Sequence, residues 1–197
     1  MQTQTRQPDL DTREQRVTLH GISWAQFKGV EANLVDVRSL NLSYLQGILE
    51  IMSPISDKHE EIKSNIGKLL EVYMDLKQIR HYRRGGFTLE AEGYTSGTPD
   101  ESYSIGVRRE LPDIVIEVII TSGTIKRTDL YLPLAIPEVW FWRSGKLRVF
   151  QWQDSQYQEV ATSQFFPDLD LAILLQYVQH PDQYDAVQEF IADIEAS

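Results

Sequence analysis

Two acidic residues stand at positions where a carboxylate needs a chemical explanation. Glu117 interrupts the most apolar run of the chain, with Ile-Val-Ile before it and Val-Ile-Ile after it. Because an unpaired buried carboxylate is costly, this side chain must find a cation, a metal ion or a proton. Asp100 follows Pro99 at the end of a glycine-containing loop. If the strands that begin near residues 101 and 114 pair, Asp100 approaches Glu117, and two carboxylates at one point suit a hard divalent cation.

Both acids also have ordinary structural explanations, which the sequence leaves open. An aspartate after a proline is a common turn residue. A lone glutamate in a strand can pair with an arginine. Metal binding and structural pairing are therefore alternative explanations of Asp100 and Glu117.

Further charged residues flank the Glu117 strand. Alternate residues of a strand share a face, so Asp113 lies on the Glu117 side and gives that face an acidic edge. Lys126 and Arg127 follow the strand and begin a predicted short helix, from which either can reach back over the acids. A cation there can orient a water molecule or stabilise charge on a phosphate, although both residues could equally be solvated.

His59 and Glu60 precede the clearest helical pattern, in which apolar residues recur every three or four positions from Ile62 to Leu76. His59 lies on the same stripe, so it is a packing residue at least as readily as a ligand. Glu60 stands three residues after Asp57 and fits a capping box, which gives it a structural role.

The surrounding elements form a mixed α and β pattern. Alternating residues predict a strand near residues 15–21, two strands around Gln46-Gly47 and a hairpin at Ser144-Gly145. The run at 111–120 is rich in β-branched residues and predicts a central strand covered on both faces. Two amphipathic stretches separated by Pro181 predict helices near the C-terminus.

Length and composition limit the classes of protein. A chain of 197 residues, 42% of them hydrophobic, can bury a sizeable core, and we expect one domain at 15–197 after a flexible arm at 1–14. The lack of cysteine excludes thiol chemistry and thiolate metal sites. We find no targeting peptide and no membrane-spanning apolar run, and therefore expect a cytoplasmic protein.

The net charge of −10 argues at first against a nucleic-acid partner, because lysine and arginine supply most non-specific affinity for phosphates. The acidic residues are unevenly distributed, however. Residues 149–197 contain nine acids and no lysine or arginine, while the rest of the chain is close to neutral. The sequence therefore predicts an acidic helical tail rather than a uniformly acidic protein.

Several short motifs occur together in a recognisable order, namely LEIMSPISDKHEEI, GTPDESYSIG, LPDIVIEV, TSGTIKRTDLY and IPEVWFW. In this order the chain resembles a bacterial family described as putative restriction endonucleases, within the PD-(D/E)XK nuclease superfamily. The likeness extends from about Arg16 to about Leu175, and it rests on the set of motifs, since any one of them alone is weak.

The resemblance implies an α/β fold with a restriction endonuclease-like core, in which a mixed sheet is flanked by helices and bears a metal-dependent phosphodiesterase site at its edge. On that template Asp100 and Glu117 are the metal ligands, for Mg²⁺ or Mn²⁺, and a backbone carbonyl near Val118 is a third. Glu60, beside His59, matches an additional acid that many superfamily members use.

One position departs from the pattern. The residue two places after Glu117 is Ile119 and not lysine, as is usual in this family, whose lysine lies in the following helix. Four residues before Tyr131, where relatives are expected to have that lysine, this chain has Arg127. Arginine can clamp a phosphate but is a poor positional copy of an ammonium group. Lys126 could substitute for it, although a helix turns about 100° per residue and would aim it differently.

The sequence and the resemblance together predict a Mg²⁺-dependent endonuclease that hydrolyses DNA, forms a homodimer and has no membrane partner. The alternative is a catalytically weakened module that keeps the nuclease fold and binds nucleic acid or protein. In that case the aromatic residues Trp140, Trp142 and Trp152 would form an interface, although they could equally belong to the core.

Overall fold

The computed structural model describes residues 15–37, 40–53, 57–120 and 124–196. The predicted flexible arm at 1–14 lies outside these residues. The strands are β1 (Gln15–His20), β2 (Asn41–Leu45), β3 (Ile48–Ser53), β4 (His81–Arg83), β5 (Leu89–Ala91), β6 (Thr95–Gly97), β7 (Glu101–Ile105), β8 (Ile114–Val118), β9 (Glu138–Arg143), β10 (Lys146–Gln153) and β11 (Gln156–Val160). The helices are α1 (Trp24–Leu34), α2 (Asp57–Leu76), α3 (Arg127–Tyr131), α4 (Leu171–Val178) and α5 (Gln183–Ala196), and α3 continues into a 3₁₀ turn at Leu132–Leu134.

The larger sheet contains the site acids and has the order β11-β10-β9-β8-β7-β4. Only β8 and β9 pair in parallel among its described strands, and α3 lies in the connection between them. The other pairs are antiparallel. This mixed sheet confirms the predicted α/β class.

Strand β8 is buried along its whole length. Its even-numbered residues, such as Ile116, pack with Trp140 against α2, α4 and α5. Its odd-numbered residues face the other way, where Val115 packs with Leu130 of α3. The predicted central strand with two covered faces is therefore confirmed.

A second, five-stranded sheet with the order β1-β3-β2-β6-β5 was not anticipated as a separate layer. The described pairs in it are all antiparallel. Its β2–β3 hairpin turns at Gln46 and Gly47, which both have positive φ, at 44° and 89°. Positive φ at both turn residues is typical of tight two-residue hairpins. The Ser144-Gly145 turn between β9 and β10 has the same property.

The acidic tail is part of the core rather than an appendage. Phe190 of α5 is fully buried, and its ring lies 5.9 Å from that of Tyr177 of α4. Both helices pack on α2. Asp185, Glu189 and Glu195 thus lie on the exposed face of α5, whose other face is apolar.

The aromatic residues of the predicted interface are mostly internal. Trp140 and Trp142 are 0% and 2% exposed, so they belong to the core. The alternative prediction that these two residues form an interface is therefore wrong. Trp152 is half-buried and packs edge-on against Tyr157 at 5.2 Å. None of the described helices is long and apolar enough to cross a membrane.

We expect Phe190→Ala to lower the free energy of unfolding by about 3–5 kcal/mol, because it leaves a cavity beneath α5. Tyr184→Ala on the same helix is the matched control, since Tyr184 is 73% exposed and its loss should change stability by no more than about 0.5 kcal/mol. Urea unfolding of both variants measures the difference. Equal effects would show that α5 does not pack as described.

Candidate metal-dependent active site

The register of β7 and β8 brings Asp100 beside Glu117. Glu101 is opposite Ile116, so the next position of the antiparallel ladder sets Asp100 against Glu117 on the same face. The Asp100 Oδ2 atom accepts a hydrogen bond of 2.6 Å from the backbone N–H of Val118. The predicted pairing of these two strands is confirmed, and it is what joins acids that are seventeen residues apart.

Both acids line a narrow cleft between the two sheets. The other polar side chains at its walls come from β1, β2, α2 and α3, and they are Arg16, Asn41, His59 and Arg127. The volume open to the centre of a water molecule is about 10 Å³. That is close to the space one water molecule or one small ion occupies.

Glu117 is buried but sparsely hydrogen-bonded. Its side chain is 4% exposed, and among the described residues it accepts one hydrogen bond, from the Tyr131 hydroxyl to Oε1. Burial, reinforced by the negative charge of Asp100, raises the pKa of Glu117 to about 7, while Arg127 and Tyr131 act in the opposite direction. This carboxyl group therefore changes its protonation state near neutral pH.

Glu138 shows how a purely structural buried acid looks in the same sheet. It is 0% exposed and accepts hydrogen bonds from Trp140 Nε1 at 2.8 Å, Ser163 Oγ at 2.8 Å and the Gln164 N–H at 2.6 Å. Its oxygens are satisfied by the protein itself. Those of Glu117 keep acceptor capacity that faces the cleft, which is what a ligand to a cation requires.

Arg127 is a half-buried cation of the site. It begins α3, and its Nη1 donates a 2.7 Å hydrogen bond to the Ser43 hydroxyl of β2. Burial alone lowers the pKa of an arginine, but the neighbouring charges of Glu117 and Glu50 raise that of Arg127 above its usual value. Arg127 therefore stays charged and is held between the two sheets.

His59 lies on the other side of Asp100. The histidine is 1% exposed, and its Nε2 is 3.2 Å from Asp100 Oδ2. Glu60 points outward instead: its side chain is 46% exposed, and its Oε2 lies 2.5 Å from Lys63 Nζ. The structure thus brings His59, but not the Glu60 carboxylate, to the wall of the cleft.

Two other predicted site residues are placed away from the cleft. The Lys126 side chain is 75% exposed, and its Nζ is 3.5 Å from Asp129 Oδ1. Asp113 lies at the far end of β8, about 13 Å along the strand from Glu117. It accepts a 2.7 Å hydrogen bond from the Ile105 N–H and is also bonded by Arg109, so its role is to close the β7–β8 connection.

The smaller sheet supplies residues that the sequence analysis missed. Glu50 of β3 is 0% exposed; its Oε2 accepts from Arg16 Nη1 at 2.7 Å and its Oε1 from the Ile125 N–H at 2.8 Å. It therefore anchors the chain just before α3. The signal was present, because Glu50 interrupts an apolar stretch of ILEIM as Glu117 interrupts IVIEVII.

The donor set fits a hard divalent cation. Asp100 and Glu117 offer carboxylate oxygens at one cleft, and a cation there would offset the burial and the repulsion by Asp100 that raise the pKa of Glu117. Among the described residues, no group of three or more His, Cys, Asp or Glu side chains is arranged to hold a metal ion. An ion at this site would therefore take its remaining ligands from backbone, water or substrate.

A known protein family matches most of the chain. Residues 24–180 match the model of the Uma2 family, described as putative restriction endonuclease. No curated protein is significantly similar to the chain. The matched region contains both cleft acids, Arg127 and the helix that bears His59.

We predict that stability in the absence of metal ions depends on the protonation of Glu117. The folded state holds this proton up to about pH 7 and the unfolded state only up to about 4.5, so protonation stabilises the fold at low pH. That stabilisation, about 3 kcal/mol in full, is lost progressively between about pH 4.5 and about pH 7. Urea unfolding with EDTA at about pH 5.5 and about pH 8 should show a loss of about 2 kcal/mol from this group in the wild type and not in Glu117→Gln.

Glu92→Gln is the matched control, because Glu92 is exposed and its substitution removes only a solvated charge. Its stability should follow the wild type across the same pH range. Parallel curves for the wild type and Glu117→Gln would contradict the raised pKa.

Proposed function

The chain belongs to the Uma2 family of putative restriction endonucleases, and on that basis we propose that it is a metal-dependent endonuclease that hydrolyses phosphodiester bonds in DNA. The observation that supports the proposal most strongly is the meeting of Asp100 and Glu117 in one cleft that the half-buried Arg127 also lines. Two carboxylates and a fixed cation are a suitable set for binding a divalent ion and a phosphate together.

We propose Asp100 and Glu117 as the residues that hold Mg²⁺ or Mn²⁺. When bound, such an ion supplies Lewis-acid stabilisation of the charge that develops on the scissile phosphate. The N–H of Val118 and the neighbouring His59 fix the orientation of the Asp100 carboxylate. Tyr131 does the same for Glu117, and because burial raises the pKa of Tyr131 well above its usual value, its hydroxyl remains a donor.

Arg127 is proposed to bind the scissile phosphate. A guanidinium forms paired hydrogen bonds with phosphate oxygens, and it stays charged at every pH of interest. The Ser43 hydroxyl holds one end of the group, which limits the entropy lost on substrate binding. Lys126 is a weaker candidate for this role, because its side chain is exposed and engaged with Asp129.

Glu117 can also move a proton. With a pKa of about 7, its carboxyl group is suited to accept or release a proton close to neutral pH. An ion in the cleft would lower that pKa, so binding of a divalent cation below pH 7 should release a proton from Glu117.

Substitution of the two proposed ligands, Asp100 and Glu117, tests their role in cleavage. We expect Asp100→Ala and Glu117→Gln to lower Mg²⁺- or Mn²⁺-dependent nicking of supercoiled plasmid DNA by about a hundredfold or more, since each removes charge stabilisation at the phosphate. Glu60→Gln is the control, and it should change the rate by no more than about twofold, because its carboxylate faces solvent beside Lys63. Undiminished nicking by both ligand variants would remove this cleft from the chemistry.

Calorimetry separates the two functions that the sequence left open. Heat of Mg²⁺ or Mn²⁺ binding that disappears in Glu117→Gln supports the nuclease site. The absence of any heat of Mg²⁺ or Mn²⁺ binding by the wild type would support the catalytically weakened module instead.

A comparison of the adjacent cations Lys126 and Arg127 tests which of them acts in cleavage. Arg127→Ala should lower the cleavage rate by about a hundredfold, whereas Lys126→Ala should change it by no more than about threefold. Arg127→Lys keeps the charge without the fork and should have an intermediate rate. Thermal unfolding of each variant checks that the fold persists. A greater loss in Lys126→Ala than in Arg127→Ala would reverse the assignment.

A further inference from the structure

Arg127 lies near two buried acids and is bonded to neither of them. The negative charge of Glu117 acts on its guanidinium more strongly than that of Glu50 does. In return, Arg127 is the charge that acts most strongly on Glu117. Among the described residues, however, the Arg127 side chain forms no ion pair and makes a single hydrogen bond, of 2.7 Å from Nη1 to the Ser43 hydroxyl.

An arginine and a glutamate so placed would ordinarily form a direct salt bridge. Opposite charges in a narrow cleft attract each other strongly, because little water is present to screen them. A guanidinium that reached Glu117 would engage its oxygens through paired hydrogen bonds, the geometry that arginine and carboxylate groups favour. Those oxygens would then be satisfied by the protein, as the oxygens of Glu138 are, and would no longer be open to a cation.

Ser43 is placed to prevent this contact. It is 2% exposed and lies in β2, a strand that is paired on both sides, with Glu50 of β3 opposite it on one side and Gly97 of β6 on the other. The hydroxyl group therefore belongs to the rigid interior of the smaller sheet and cannot follow the guanidinium toward β8. A hydrogen bond to a charged donor is also stronger than one between neutral groups.

Glu50 attracts Arg127 in the same direction as Ser43. It stands directly opposite Ser43 and is 0% exposed. Its two oxygens are already occupied by another arginine and by two backbone N–H groups. It therefore draws Arg127 toward the smaller sheet through its charge alone, while the hydroxyl of Ser43 provides the direct contact.

We propose that Ser43 is a positioning residue, which holds the Arg127 guanidinium on the side of the smaller sheet and thereby keeps the Glu117 carboxylate open to a divalent cation. The inference rests on the proposed function, in which Glu117 holds the ion. It adds to that function a reason why an arginine beside the acid does not neutralise it permanently.

Calorimetric titration with Mn²⁺ in the absence of DNA tests the inference without reference to cleavage. Ser43→Ala removes only the hydroxyl group, so Arg127 becomes free to pair with Glu117. We expect the dissociation constant for Mn²⁺ to rise about tenfold or more, because the ion must then displace the arginine. Ser43→Thr keeps the hydroxyl group and should restore binding to within about threefold of the wild type.

The matched control is Ser104→Ala. Ser104 is also a buried strand serine, 0% exposed in β7, and its hydroxyl group has no hydrogen-bond partner among the described residues. Its loss should change the dissociation constant for Mn²⁺ by no more than about twofold. Thermal unfolding of every variant checks that it is folded.

A double-mutant cycle separates a positioning role from a purely structural one. In Arg127→Ala the competing cation is gone, so the further substitution Ser43→Ala should change Mn²⁺ affinity by no more than about twofold. The same loss of affinity with and without Arg127 would show that Ser43 only supports the fold, and it would overturn the inference. This comparison decides the question even where Ser43→Thr is unfolded.

The outcomes also distinguish the inference from the proposed function. If the wild type binds Mn²⁺ through Glu117 and Ser43→Ala binds it equally well, the metal site stands and the positioning role is overturned. If Ser43→Ala weakens Mn²⁺ binding only when Arg127 is present, the inference holds, whether or not the wild type cleaves DNA. If the wild type binds no Mn²⁺, both the metal site and the inference are overturned.

Discussion

The structure depends on the cost of burying two like charges side by side. Asp100 and Glu117 occupy adjacent positions of one antiparallel ladder, on the covered face of a central strand. In this setting water cannot screen them, so the protein must supply donors and cations or leave one acid protonated. The protein supplies a donor in Tyr131 and a nearby cation in Arg127. The pKa of Glu117 is nevertheless raised to about 7, so this acid is also partly protonated at neutral pH. Such incomplete compensation is common at functional sites, where a bound ion supplies the missing charge.

The smaller sheet is the element that makes this arrangement stable. It holds Arg127 through Ser43 and fixes the backbone before α3 through Glu50. Arg16 neutralises Glu50 in turn. Charges of alternating sign therefore lie between β1 and β8, from Arg16 and Glu50 to Arg127 and Glu117. Removal of one member of such a buried network usually lowers the free energy of unfolding by more than the intact pair contributes, because its partner is left unpaired.

The distribution of charge also explains how an acidic protein can be proposed to act on DNA. The acids of residues 149–197 lie on α5 and on the strand and loops before it, and α5 packs on the face of the large sheet opposite Glu117. Arg16 and Arg127 line the cleft instead. Net charge governs long-range attraction, whereas the groups within a cleft govern contact with a bound molecule.

The sequence by itself determined the class of fold, the central strand and the two acids, because hydrophobic period and buried charge are local signals. The hairpin at Ser144-Gly145 and the anomaly at Glu117 were both predicted from such local patterns. Which cation serves the acids was decided only by the tertiary structure: Lys126 and Arg127 are adjacent in the chain, but α3 turns one to solvent and the other into the cleft. The second sheet, with Glu50 and Asn41, was hidden for the same reason. Contacts between residues far apart in sequence depend on how strands pair and layers stack, and no local pattern encodes that geometry.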